Sequence, residues 1–107
     1  MSLLTVQELK LWQTGGMDFE LLDVRRDLAR AADATDIPGG RWLNPALWLD
    51  WKDTIGADRP VVCYCAHGHE ISQGLTAALR AMGVDARHLV GGLSEWQAKG
   101  YAVVPAA

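Results

Sequence analysis

Cations are few and scattered in this sequence: ten lysines and arginines stand against thirteen acidic residues, for a formal net charge of −3, with no basic cluster. Binding to a phosphate backbone needs many cations on one face, so nucleic acid is excluded as the main partner. Long apolar runs are also missing, and no window approaches the ~20 residues of a membrane span, so no membrane partner is expected. The opening Met1-Ser2-Leu3-Leu4-Thr5 lacks the basic segment and apolar run of a secretory leader, which makes the cytoplasm the expected location. Cysteine is nearly absent, with only Cys63 and Cys65 present. Two apart on one apparent strand, they would form a strained disulfide that closes no useful loop. Reduced thiols in a reducing compartment are therefore expected.

Half of the 107 residues are hydrophobic and no low-complexity run interrupts them, so the expectation is a single domain over residues 1–107 with a core of its own. Thr5-Val6-Gln7-Glu8 has the form of a capping box, and Val6, Leu9, Leu11 and Trp12 follow at roughly helical spacing up to Gly15-Gly16, predicting a helix over 5–14. Glu20-Leu21-Leu22-Asp23-Val24 reads as a short strand with a carboxylate at its end, followed by Arg25-Arg26-Asp27. Asp23 and Arg25 are expected to form a strand-end ion pair that fixes the next loop. One or two helical turns fall within 27–36, and Ile37-Pro38-Gly39-Gly40 is a turn. A short strand over 41–43 leads to Asn44-Pro45, an N-cap with proline at the first helical position, predicting a helix over 45–53. Leu47, Trp48 and Trp51 are expected on one face of it, and the three tryptophans Trp42, Trp48 and Trp51 within ten residues read as core rather than pocket lining.

Pro60 opens a second strand, Val61-Val62-Cys63, whose unbroken apolar run marks burial on both faces. Leu75, Ala78, Leu79 and Met82 then repeat at helical spacing up to Gly83. Arg87-His88-Leu89-Val90 is a further strand, Gly91-Gly92 a turn, and 93–99 a last helix that buries Trp96 before Gly100. Strand and helix alternate, which predicts an α/β fold with a largely parallel sheet.

Chemistry concentrates where Val61-Val62-Cys63-Tyr64-Cys65 runs into Ala66-His67-Gly68-His69-Glu70-Ile71-Ser72 and then a helix. A cysteine at a strand end, expected to sit exposed at the mouth of a ring of inward-turned loop amides with a helix N-terminus behind it, feels partial positive charge that favours its thiolate. Such a thiolate attacks sulfur or phosphorus, and the same amides can hold anionic oxygens or the extra sulfur of a persulfide. Glu70 is a carboxylate inside a loop suited to anions, and it costs affinity unless it faces solvent or pairs with a cation. His67 and His69 can supply that cation, steer an anionic donor or carry protons; equally, they can be plain exposed loop residues. Cys63, Cys65, His67 and His69 alternate like a metal set, but alternate positions of an extended strand stand too far apart for one ion at ~2.0–2.3 Å bonds. No metal or other cofactor is expected, and Cys63 reads as a buried small hydrophobe.

Taken together, Leu22-Asp23-Val24-Arg25, Ile37-Pro38-Gly39-Gly40 with Asn44-Pro45, the loop after Val61-Val62-Cys63-Tyr64-Cys65, and Gly91-Gly92 with Trp96 and Gly100 resemble the rhodanese family in order and over nearly the whole chain. The resemblance implies a mostly parallel five-stranded sheet flanked by helices on both faces. It implies a sulfurtransferase in which Cys65 accepts a sulfane sulfur from a small anionic donor such as thiosulfate and passes it to cyanide, a thiol or a protein acceptor. By the same resemblance the amides of Ala66 to Ile71 hold the persulfide, and Ser72 begins the helix behind it. Counted this way, the loop is one residue longer than in many active rhodaneses, and its length is similar to that of phosphatase and arsenate reductase relatives. Those relatives carry an arginine at the last loop position, a fork for anionic oxygens, where this chain has Ile71. The alternative to transfer chemistry is a rhodanese-like binding module in which Cys65 is idle or senses oxidants through sulfenic acid.

Overall fold

The computed structural model describes residues 2–106; Met1 and Ala107, the two ends of the expected 1–107 domain, lie outside the described residues. The chain begins with β1 (Leu3–Leu4), α1 (Val6–Thr14), β2 (Glu20–Asp23) and α2 (Asp27–Ala32), followed by β3 (Thr35–Asp36), β4 (Gly40–Trp42) and α3 (Trp48–Trp51). It continues with β5 (Val61–Tyr64), α4 (Glu70–Ala81), β6 (Ala86–Leu89), α5 (Gly92–Ala98) and β7 (Val104–Pro105). Five of the strands form one parallel sheet in the order β1-β6-β5-β2-β4, while β3 and β7 make a small antiparallel pair beside it.

Side chains alternate across the central strands and so build two cores. Leu21, Val62, Tyr64 and Leu89 point to one face, where Val6 and Leu9 of α1 and Leu93 and Trp96 of α5 cover them. Leu22, Val61, Cys63 and Ala86 point to the other, under Trp51 of α3 and Leu79 of α4. A sheet buried on both sides in this way explains why β5 reads as an unbroken apolar run. Among the described residues no helix is long and apolar enough to cross a membrane.

Helix α1 begins where its capping box places it: the Thr5 side chain accepts from the Glu8 amide at 3.1 Å, and the Glu8 carboxylate accepts from the Thr5 amide at 3.0 Å. The helix expected over 45–53 is instead three short pieces, with 3-10 turns at Pro45–Leu47 and Lys52–Thr54 on either side of α3. The Asn44 cap is present, accepting from the Ala46 amide, but the backbone leaves the helical region at Leu47 (φ −102°, ψ 23°). That break lets Trp51 bury and donate from its indole to the Asn44 carbonyl at 2.8 Å, with Trp48 packed edge-on against it. Burial of two large rings outweighs the continuity of an exposed helix.

After β2 the chain goes to β4 on one side of the sheet; after β5 it goes to β6 on the other. The carboxyl ends of these two adjacent strands therefore open a crevice at the topological switch point. A buried ion pair stiffens one wall. Arg25 donates to Asp23 at 2.8 and 3.0 Å, to Asp36 at 2.9 Å, and to the carbonyls of Asp33 and Thr35 at 2.9 Å. With its guanidinium fully buried, Arg25 ties the end of β2 to the loop that carries β3.

Removing Asp23 would leave that buried guanidinium short of its bidentate partner. The Asp23→Ala protein is expected to lose about 3–5 kcal/mol of stability, measured as a lower urea midpoint at unchanged slope; a midpoint equal to wild type would show that Asp36 and the loop carbonyls suffice.

Candidate functional site

The crevice at the ends of β2 and β5 holds Cys65, the first residue after β5. Its loop is shaped from outside. At the N-terminus of α5 the amides of Leu93 and Ser94 donate to the carbonyls of Cys65 and Ala66, both at 2.9 Å. A peptide group carries its carbonyl and its N–H on opposite sides. Drawing the Ala66 carbonyl toward α5 therefore turns the His67 amide inward. The Gln73 side chain donates to the Gly68 carbonyl at 2.9 Å and has the same effect two peptides further on, turning the His69 amide inward.

Close approach of loop and helix explains the glycines. Gly68 (φ +72°) and Gly92 (φ +58°) both occupy the left-handed region, and a Cβ on Gly92 would lie 2.3 Å from the Cys65 carbonyl oxygen.

Three amides converge on the Cys65 sulfur, those of His67, His69 and Ser72, together with the Ser72 hydroxyl at 3.3 Å. Helix α4 starts at Glu70, two residues before the expected Ser72, because Ser72 already lies in its first turn. His69 stands at the N-cap without a capping side chain, and the sulfur takes that place by accepting from the Ser72 amide in the first turn. Burial raises the Cys65 pKa, but the Ser72 hydroxyl and the amides of Ser72, His69 and His67 outweigh it, and the thiol lies below its ordinary value. Cys63 shows the opposite case: buried among the apolar side chains under α4, its pKa is pushed up to about 12.

Cys65 is 7% exposed, so the sulfur sits at the floor of the crevice and not at its mouth. Above it is a cavity of about 320 Å³. One wall is the loop itself, from Ala66, His67 and His69 to Glu70 and Ile71; the other is Arg25, Arg26 and Ala29. The expected binding loop thus divides. Ala66, His67, His69, Glu70 and Ile71 face the cavity, whereas Gly68 is pressed against Gly91 and Gly92, and Ser72 is buried beneath the sulfur. Of the expected 66–71 set, the amides of His67 and His69 reach the sulfur, and Ser72 adds its own amide and hydroxyl.

His67 and His69 are exposed, with ring centres 6.1 Å apart and nearly perpendicular. Trp42, Trp48 and Trp51 lie away from the cavity walls, and among the described residues no group of three or more His, Cys, Asp or Glu could hold a metal. Sequence reasoning did not single out Arg26, Ala29, Gln73 or the α5 amides. Arg26 had a signal, as the second of paired arginines at a strand end; the others become partners only through the fold.

The family model described as "Rhodanese-like domain" matches residues 5–99. The chain is 31% identical over 97 residues to the "Probable adenylyltransferase/sulfurtransferase MoeZ" of Mycobacterium tuberculosis, a match covering 89% of this chain and 24% of that protein. The chain thus spans about a quarter of the length of this curated relative. Among solved structures, a rhodanese-related protein from Thermoplasma volcanium superposes with a TM-score of 0.82 at 20% identity, covering 97% of this chain and 98% of that one. A rhodanese-like domain protein from Staphylococcus aureus does so with a TM-score of 0.79 at 26% identity, covering 90% and 91%.

Two variants test the cradle. In Ser72→Ala, alkylation of Cys65 at neutral pH is expected to slow roughly tenfold. Since the thiolate reacts, the rate should fall with decreasing pH below the folded-state pKa, and the midpoint of that profile should move up in the variant; an unmoved midpoint would show that the amides alone set it. Gly92→Ala should cost about 1–3 kcal/mol through overpacking and raise the same midpoint in protein that remains folded by circular dichroism, whereas an unchanged midpoint would show that α5 does not hold the loop.

Proposed function

The chain belongs to the rhodanese-like domain family, and from that membership we propose that it is a sulfurtransferase carrying a sulfane sulfur on Cys65. One observation carries the reading: a sulfur of lowered pKa, ringed by the Ser72 hydroxyl and three inward amides, lies at the floor of an open cavity. Of the two activities in the MoeZ description, sulfur transfer is the one that a cradled thiolate matches chemically.

In the proposed cycle the Cys65 thiolate attacks the outer sulfur of thiosulfate or a similar donor. The donor's S–S bond breaks, sulfite leaves with the electron pair, and a persulfide remains on Cys65. Amides that stabilised the thiolate now stabilise the terminal persulfide sulfur. An acceptor thiolate, cyanide or a protein thiol then attacks that sulfur, the S–S bond to Cys65 breaks, and the thiolate is regenerated. His67 and His69, on the cavity wall, are positioned to take the proton of an acceptor thiol. No cofactor or metal takes part. With both cysteines free, the reducing cytoplasm is the natural compartment for this chemistry.

Phosphatase or arsenate reductase chemistry is disfavoured by the residues that follow the cradle. Glu70 and Ile71 occupy the first turn of α4, where a phosphoryl group needs a cationic fork.

Incubation with thiosulfate is expected to add one sulfur to the protein by intact mass and to support turnover of cyanide, while Cys65→Ser does neither and p-nitrophenyl phosphate is not hydrolysed. Wild-type protein left unmodified by thiosulfate would instead favour the binding or redox-sensing module.

A further inference from the structure

Among the described residues, two charged side chains that line the cavity have no partner. Arg26 and Glu70 are both exposed, both line the cavity over Cys65, and neither forms an ion pair or a side-chain hydrogen bond among the described residues. The neighbouring Arg25 differs, because Asp23 and Asp36 hold its guanidinium. The cavity over Cys65 is therefore lined by a cation and an anion that are both unpaired among the described residues, with Ala29 and Ile71 as apolar lining.

A small dianion would meet the arginine favourably but the glutamate unfavourably. A neutral nucleophile would engage neither. A ligand carrying both charges close to its sulfur satisfies both walls at once. We propose that this cavity binds α-amino-acid thiols as sulfur acceptors, with Arg26 taking the carboxylate, Glu70 the ammonium group, and the thiol directed at the Cys65 persulfide. This assignment rests on the sulfurtransferase reading and names its acceptor class.

The chemistry fits the site. In free cysteine the carboxylate and the ammonium both branch from the carbon next to the one that bears sulfur, so the two handles and the nucleophile converge within a small volume. The cavity of about 320 Å³ lies at the small end of the ~300–1,000 Å³ typical of ligand sites. The bound acceptor loses its thiol proton to a cavity histidine or to water. Its thiolate attacks the terminal sulfur of the Cys65 persulfide and forms the new S–S bond of cysteine persulfide; the old S–S bond breaks with its electron pair returning to Cys65. Sulfur passes at an unchanged oxidation level, and no outside oxidant or reductant is needed. The carboxylate of Glu70 is also accommodated by its position in the first turn of α4, where the helix dipole favours negative charge.

The test uses protein loaded with sulfur by thiosulfate and freed of excess donor, then mixed with cysteine, with 3-mercaptopropionate, which lacks the ammonium, or with cysteamine, which lacks the carboxylate. Loss of the added sulfur is followed by intact mass. Each variant is compared with wild type for the same thiol, so that intrinsic differences in thiol reactivity cancel. Glu70→Gln is expected to lower kcat/KM for cysteine and cysteamine roughly tenfold without lowering it for 3-mercaptopropionate. Arg26→Gln should lower it to a similar degree for cysteine and 3-mercaptopropionate but not for cysteamine. Equal effects on all three thiols, or no effect on cysteine, would overturn the acceptor assignment while leaving sulfur transfer intact. Failure of wild-type Cys65 to take up sulfur from any donor would remove the sulfurtransferase reading itself, and the acceptor assignment with it.

Discussion

The site depends on a helix that contributes no side chain to the sulfur. Two amides at the start of α5 hold the carbonyls of Cys65 and Ala66, and planar peptides convert that outward pull into an inward-facing N–H at His67. Gly68 and Gly92 permit the contact, since each backbone comes within a distance that no Cβ could occupy. Gln73 repeats the device on the Gly68 carbonyl. The inward set of donors is thus imposed by the outward set of acceptors, and the loop could not keep this shape alone.

Electrostatics follow from that geometry. The Cys65 sulfur caps α4 in place of a side chain at His69, so the orphan donor of the first helical turn is used to favour a charged thiolate. Two cysteines only two positions apart therefore behave in opposite ways. Cys63 faces the packed layer under α4 and is held neutral, whereas Cys65 faces converging donors and is pushed toward ionisation. Burial raises both, more for Cys63, and at Cys65 the converging hydrogen bonds outweigh it.

Opposite the loop, the Arg25 network sets the second wall. By binding Asp23, Asp36 and two loop carbonyls at once, Arg25 fixes where the chain leaves β2 and hence where Arg26 and Ala29 stand relative to Cys65. Gln97 of α5 joins the same region by donating to Asp33 and Thr35. The final helix therefore braces both sides of the crevice, and damage to it would be felt at the sulfur without touching it.

Much of this was legible in the residues themselves. Apolar periodicity located the strands β2 and β5 and the helices α1, α4 and α5, the capping box located the start of α1, and the motifs in order pointed to the family and to Cys65. Strands β1, β3 and β7 were not legible, because each is two residues long and owes its conformation to a partner elsewhere in the chain. The helix over 45–53 was misjudged because local propensity carries no information about where Trp48 and Trp51 can be buried. Sequence by itself determined which chemistry is available, since side-chain identity and local pattern are properties of neighbouring residues. Which amides point at the sulfur, where α4 begins and that Arg26 shares a cavity with Glu70 were decided only by tertiary structure, because each depends on backbone groups brought together across the sheet.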